Sequence, residues 1–141
     1  MLCKGKLPLE LDDLVLIELY TRSQQILPGA VELVRRVPRY YVRATVCNTN
    51  ALQWPSLMEH SDLVEAFDHH FASHLTGKIK PDAEAFQHVL ASLGCAGPEA
   101  LFLDDSQLNV MAAKRVGMTA FQVQGPVEAE YALREAEVLR V

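Results

Sequence analysis

Apolar positions recur along this chain with two different periods. Leu14, Leu16, Ile17 and Tyr20 fall at helical spacing, and Asp12 and Asp13 suit the positive end of a helix, which predicts a helix from Leu11 to Gln24. Pro28-Gly29 breaks it. Ala30 to Val37 predicts a second helix, apolar at Val31, Leu33, Val34 and Val37, with Arg35-Arg36 near its negative end and Pro38 as its stop. The period then changes. Tyr40 to Cys47 is rich in aromatic and β-branched residues and predicts a strand. Arg43 is out of place in a strand buried on both faces, so either this strand lies near an edge or Arg43 snorkels to solvent.

Further on, Ala51 to Glu59 predicts a helix limited by Pro55, and Phe67 to Ser73 a weak strand. Asp82 to Leu93 predicts a helix with Phe86, Val89, Leu90 and Leu93 on one face and Gly94 as its stop. Ala100 to Leu103 predicts a short strand ending in Asp104-Asp105, followed by a helix from Ser106 to Val116 that Gly117 ends. Thr119 to Val123 predicts another strand and Val127 to Leu139 a last helix. Strands alternating with helices after residue 40 make an α/β domain with a parallel sheet. Ligands of such sheets sit beyond the carboxyl ends of the strands, so the informative loops follow Val46, Ser73, Leu103 and Val123.

At 141 residues the chain is sized for one domain. It has no apolar run near the roughly 20 residues of a membrane span and no apolar signal core behind Lys4 and Lys6, so no membrane partner is expected. Three irregularly spaced cysteines suit a reducing compartment, and the expected location is cytoplasmic. A net charge of −5 argues against nucleic acid as a partner. Residues 1–46 hold seven Lys/Arg and five Asp/Glu; the remaining residues hold six and thirteen. The late acidic excess is either a solvated surface or the source of carboxylates for a cation.

Three of the informative loops carry chemistry. Cys47-Asn48-Thr49-Asn50 places backbone N–H groups and the Asn48 amide where an anion could bind, or Thr49 or Asn50 simply caps a helix. Gly77-Lys78-Ile79-Lys80-Pro81-Asp82 is either a loop with two solvated lysines or a device that aims Lys80 at a phosphate or carboxylate. Asp104-Asp105-Ser106, with Asn109 one turn on, puts adjacent carboxylates after a buried strand, which a hard cation such as Mg²⁺ explains; the alternative is a helix cap by Asp105 or Ser106.

In this order, each at a strand's carboxyl end, the three motifs resemble the haloacid dehalogenase-like superfamily of hydrolases. The resemblance runs from about Ile26-Leu27-Pro28-Gly29 to Gln124-Gly125. It implies a doubly wound, three-layer (Rossmann-like) parallel sheet. It makes Lys80 the lysine that stabilises the phosphorylated or alkylated nucleophile. Asp104 and Asp105 become the Mg²⁺-anchoring pair, with Lys80 and Asp105 as catalytic residues. Cys47 and Asn48 stand where the transferring group is bound, together with Lys80, and Ser106 and Asn109 support the acidic motif. Ala112 to Met118 also looks like the family's segment after that motif. Asn48-Thr49-Asn50-Ala51 and Trp54 are similar to the phosphatase-like branch, which implies a small phosphorylated or anionic substrate.

The chain departs from the family in three ways. The Asp-x-Asp motif that supplies the family's nucleophile and its acid/base is absent, and Asp12-Asp13 falls in a predicted helix. Cys47 takes a Ser/Thr position although a thiol donates more weakly, and no histidine is placed to make it a nucleophile. The sheet's first strand and most of the cap are missing by the same comparison, so residues 1–27 are expected to be a remnant of a helical cap and 28–141 the core. The strands ending at Val46 and Leu103 must then pair directly, accept a substitute such as Leu7-Pro8-Leu9, or leave backbone groups unsatisfied. Pro8 makes that substitute poor in a central position.

Two functions follow: a Mg²⁺-dependent phosphate-ester hydrolase whose nucleophile lies outside this chain, or a non-catalytic domain of the same fold that binds an anion, a metal or a partner. A phosphoacceptor receiver domain is disfavoured, because its acidic pair ends the first strand and here it comes late. His70 and His74 would share a face only on a helix, and Phe67 to Ser73 reads as strand, so no metal site is expected there.

Overall fold

Two buried strands, Tyr41–Cys47 (β3) and Ala100–Asp104 (β5), organise the molecule. In the computed structural model, which describes residues 2–4, 14–17, 29–52, 54–59 and 61–139, every residue of β5 is buried. β5 pairs in parallel with Thr119–Gln122 (β6), and β3 in parallel with His69–Ala72 (β4).

Between β3 and β5 lies Leu14–Ile17 (β2), parallel to both. Val15 stands opposite Arg43 on one side and Leu101 on the other. The helix expected over Leu11–Gln24 is therefore corrected at these four residues, which are a central strand; the rest of that stretch lies outside the described residues. So does Leu7-Pro8-Leu9, the substitute considered for this position. The physical reason is that Leu-Val-Leu-Ile is uniformly apolar. A run that short fits a helix and a doubly buried strand equally, and the unpaired edges of β3 and β5 decide in favour of strand.

Leu2–Lys4 (β1) meets the same slot in the opposite sense, with Leu2 antiparallel to Arg43 and to Leu101. A strand has two edges, and β4 already takes one edge of β3. β1 and β2 therefore compete for the same backbone groups. β2, with four residues in unbroken register against β5, fills the slot better than β1, which has one.

Helices cover both faces. Side chains alternate along β3 and β5. Leu101, Leu103, Tyr41 and Cys47 join a cluster with Ala30–Arg36 (α1), the Ser61–Ala66 helix (α3) and Gly125–Glu135 (α7). Ala44, Val46, Ala100 and Phe102 join a second cluster with Ala83–Leu93 (α5) and Gln107–Arg115 (α6). This is the three-layer α/β arrangement expected. The region expected to be one helix over Ala51–Glu59 is shorter, Trp54–Met58 (α2), and α3 was not foreseen. β4 runs into a single helical turn, Ser73–Thr76 (α4). No helix among the described residues is long and apolar enough to cross a membrane.

Arg43 neither lies on an edge strand nor snorkels. β3 has neighbours on both sides, Arg43 is buried, and its Nε stands 3.6 Å from the Asp68 carboxylate. The backbones fix the pair: the Arg43 N–H donates to Asp68 Oδ2 at 2.8 Å and the Asp68 N–H to the Arg43 carbonyl at 2.7 Å.

His70 is a strand residue, as expected. The Thr45 hydroxyl lies 2.8 Å from its Nδ1, and its Nε2 lies 3.4 Å from the Val64 carbonyl. An Nε2–H tautomer satisfies both contacts. Burial pushes the His70 imidazole below its ordinary value of 6.5, the Val64 hydrogen bond opposing it. In the pH window just below 6.5 the unfolded chain then binds a proton that the native chain refuses. We expect stability to fall as pH drops through that window. In His70→Asn the fall should be shallower, and urea titrations at pH 7.5 and 5.5 measure the difference; parallel pH profiles for the two proteins would exclude it.

Candidate active site

At the carboxyl end of β5 the sheet buries a charge. Asp104 is fully buried, and the Lys80 ammonium stands 3.1 Å from its Oδ2, itself almost fully buried. Two unpaired charges in that place would be costly; paired and hydrogen-bonded they are tolerated. Asn109, one turn into α6, donates its Nδ2–H to the same Oδ2 at 3.1 Å, and the Ser106 N–H donates to Oδ1 at 2.8 Å. Ser106 also caps α6 by accepting the Asn109 N–H at 3.4 Å, so the capping alternative and the site are one structure.

Lys80 reaches this point because its backbone is held. Asn48, the first residue after β3, donates its Nδ2–H to the Lys80 carbonyl at 2.9 Å and accepts the Lys80 N–H on Oδ1 at 2.9 Å. Next to it, the Thr49 N–H donates to Ser73 Oγ at 2.8 Å and the Ser73 hydroxyl donates to the Thr49 carbonyl at 2.7 Å. These bonds stitch the loop after β3 to the segment after β4. The Lys80–Pro81 peptide is cis. Beneath the ammonium lies the Phe102 ring, its centroid 5.9 Å from Nζ, and Phe86 meets that ring edge-on at 5.1 Å.

Asp105, next to Asp104, is exposed. Its carboxyl is raised above the usual range, first by partial desolvation and then by a hydrogen bond to Asp104 and that residue's charge, with Lys80 opposing. A cation shared by the two carboxylates would relieve this tension. The Asp105 carbonyl accepts from Gln122 Nε2 at 3.2 Å and Gln124 Nε2 at 3.3 Å, so β6 and the start of α7 hold the turn.

The structure thus brings together Lys80, Asp104, Asp105, Ser106, Asn109 and, through the Lys80 backbone, Asn48. It does not bring Cys47 to them. Cys47 is buried in the cluster on the α1 and α7 side, whereas Phe102 and the alternating Asp104 belong to the other face. Asn48 spends both ends of its amide on the Lys80 peptide rather than presenting them outward. The stitch between Thr49 and Ser73 was not read from the sequence, since neither residue carries a local signal of a partner 24 positions away. The buried Thr49 Oγ1 and His74 Nδ1 have no hydrogen-bond partner among the described residues.

Both carboxylates suit a hard cation. No group of three or more His, Cys, Asp or Glu side chains gathers as a metal cage among the described residues. Mg²⁺ commonly takes one or two carboxylates and fills its remaining positions with water and phosphate oxygens. Asp104 and Asp105 fit that demand.

Comparison with known proteins agrees with this geometry. The chain is 38% identical over 71 residues to Sesquiterpene phosphatase astK of Aspergillus oryzae, covering 50% of this chain and 36% of that protein. It is 30% identical over 114 residues to Phosphatase MT3486 of Mycobacterium tuberculosis, covering 79% and 52%. The chain thus spans about half or less of the length of these relatives. Among solved structures, a HAD family enzyme of Bacteroides thetaiotaomicron in complex with magnesium and inorganic phosphate superposes with a TM-score of 0.65 at 23% identity, over 71% of this chain and 54% of that one. A family model for haloacid dehalogenase-like hydrolase matches residues 3–117. With the three-layer sheet and the lysine and acidic pair at its carboxyl end, that match makes the chain a member of the haloacid dehalogenase-like hydrolases.

Proposed function

We propose that this chain is the core of a Mg²⁺-dependent phosphate-ester hydrolase acting on small phosphorylated molecules, with the nucleophilic carboxylate supplied by sequence outside it. The observation that carries the reading is the buried Lys80–Asp104 pair at the end of β5, with Asp105 and Asn109 on either side. The names of the two curated relatives, both phosphatases, and the magnesium and phosphate bound to the Bacteroides enzyme support it.

In this reading Asp104 and Asp105 hold the cation, which when bound neutralises charge on the phosphoryl oxygens. Lys80 donates from Nζ to a phosphoryl oxygen and stabilises the charge there. Asp104 keeps the ammonium in place, and Asn109 and the Ser106 N–H keep Asp104 in one orientation. Asn48 is a positioning residue, fixing the Lys80 backbone. Cys47 contributes packing at the end of β3, and any anion contact in its loop comes from backbone N–H groups.

A second reading, a non-catalytic anion- or metal-binding domain, is favoured by one observation. The central strand β2 is Leu-Val-Leu-Ile and carries no carboxylate. One experiment tests the ion site that both readings use, and turnover separates them. Under the proposal millimolar Mg²⁺ raises the Tm of the chain, and Asp105→Asn, an exposed position, removes the rise. A wild-type chain whose Tm ignores Mg²⁺ overturns the proposal. Turnover of p-nitrophenyl phosphate with Mg²⁺, lost in Asp104→Asn, would place the complete activity in the chain itself. Mg²⁺ binding by this chain without turnover leaves the nucleophile to come from another segment: turnover on addition of a segment carrying an Asp-x-Asp strand supports the hydrolase, and none supports a binding domain.

A further inference from the structure

In the phosphate reading, Lys80 and the Asp104–Asp105 pair take the phosphoryl group of a bound ester. The rest of a bound ester must lie on the loops that surround them, above all the two stitched loops that hold Lys80. Those loops are apolar and exposed. Leu52 is 89% exposed, Leu75 65% and Ile79 51%. Leu52 is in the turn after β3, Leu75 in α4 after β4, and Ile79 directly precedes Lys80. Beyond them, Leu108 in the first turn of α6 and Val127 in the first turn of α7 are also exposed at this end of the sheet.

Charge is scarce in the same place. Residues 44–58 and 69–77 contain no Asp, Glu, Lys or Arg, in a chain that is 22% charged. Lys78 and Lys80 are the formal charges of the 73–80 segment. The loops around the Lys80–Asp104 ion pair are therefore uncharged and aliphatic, and charge is confined to the pair itself, Lys78 and the exposed Asp105 beside it. Scattered exposed leucines need no explanation, but aliphatic side chains gathered on the loops that position one buried lysine do.

We propose that the site takes amphiphilic phosphate monoesters: a phosphate head at Lys80 and a hydrocarbon body across Leu52, Leu75 and Ile79. This rests on the phosphate reading above and names its substrate class. The stitch makes the rim part of the site rather than a separate surface, because the Asn48–Lys80 and Thr49–Ser73 bonds fix the rim loops to the backbone of the residue that meets the phosphate.

The test uses equilibrium binding, which needs no nucleophile. Inorganic phosphate, methylphosphonate and octylphosphonate are titrated calorimetrically into the 141-residue chain with Mg²⁺, below the concentration at which the octyl compound forms micelles. A buried methylene is worth about fourfold in affinity, and a tail half covered by an open rim gains less. Octylphosphonate should therefore bind at least about tenfold tighter than methylphosphonate, and inorganic phosphate should displace it. In the triple variant Leu52→Ser, Leu75→Ser, Ile79→Ser, all exposed positions, the gain should vanish while methylphosphonate affinity stays as in the wild type. Equal affinity for the two phosphonates, or an octyl gain that survives in the variant or resists displacement by phosphate, overturns the inference and leaves the phosphate reading intact. Failure of all three probes to bind overturns both.

Discussion

Asp104→Asn should be the most damaging single change in the molecule. The carboxylate is fully buried and Lys80 beside it almost so, so removing one charge strands the other in an apolar setting. Breaking a buried pair in this way costs about 3–5 kcal/mol. For a domain of this size that is a fall of about 10–20 °C in Tm. Asparagine keeps the shape and can still accept the Ser106 N–H, so the loss reports the charge rather than a cavity. The companion variant is Lys80→Met with Asp104→Leu, which removes both charges together. It should be markedly more stable than Asp104→Asn alone, since a buried pair itself contributes little net stability. It should also lose the response to Mg²⁺ and phosphate. Unfolding in urea measures the first effect and calorimetry the second. If Asp104→Asn costs less than about 1 kcal/mol, the ammonium is not committed to this carboxylate, and the proposed site loses its central element.

Phe102→Ala should rank next. Phe102 is fully buried in β5, edge-on to Phe86 on one side and under the Lys80 ammonium on the other. Truncating such a ring to Ala costs about 3–5 kcal/mol through lost burial and a residual cavity. Phe102→Leu keeps much of the volume and should cost about 1–1.5 kcal/mol. The two variants divide packing from electrostatics. Leucine offers no ring face to a cation, so phosphate affinity should drop severalfold in Phe102→Leu while most of the stability remains. Equal losses of stability in the two variants would mean that the ring is not packed as described.

The elements that the sequence made legible share one property: their signals are local. Ala100-Leu101-Phe102-Leu103 followed by two aspartates reads as a buried strand delivering carboxylates, and β5 is that strand, extended by one residue to include Asp104. Asp82 before an amphipathic run and Gly94 after it read as one helix, and α5 occupies Ala83–Leu93 between them. Lys80, Asp104, Ser106 and Asn109 are legible because each lies at or beyond the carboxyl end of a strand, where such sheets bind ligands.

What stayed hidden depends on residues far apart in the chain. The period of Leu14–Ile17 is ambiguous over four residues, and the adjacent Asp12-Asp13 reads as a helix start. Only pairing with β3 and β5 resolves it. Arg43 looked like an edge or snorkelling residue because its partner, Asp68, is 25 positions away. The double use of the Asn48 amide on Lys80 spans 32 positions and leaves no mark in either segment. Cys47 is different. Alternation along β3 places it on the face opposite Ala44 and Val46, so its turn away from the site was readable from the strand's period alone.

The two registers of β2 also set an order of events for a chain emerging from the ribosome. Val15 meets Arg43 across 28 positions of sequence and Leu101 across 86. Loop closure favours the shorter connection, and synthesis delivers it first. A β2–β3 ribbon can therefore form early. Its other edge then waits, apolar and unpaired, until Ala100–Asp104 has been made. During that interval it offers a template to any neighbouring strand, which makes the late arrival of β5 the step most exposed to misassembly.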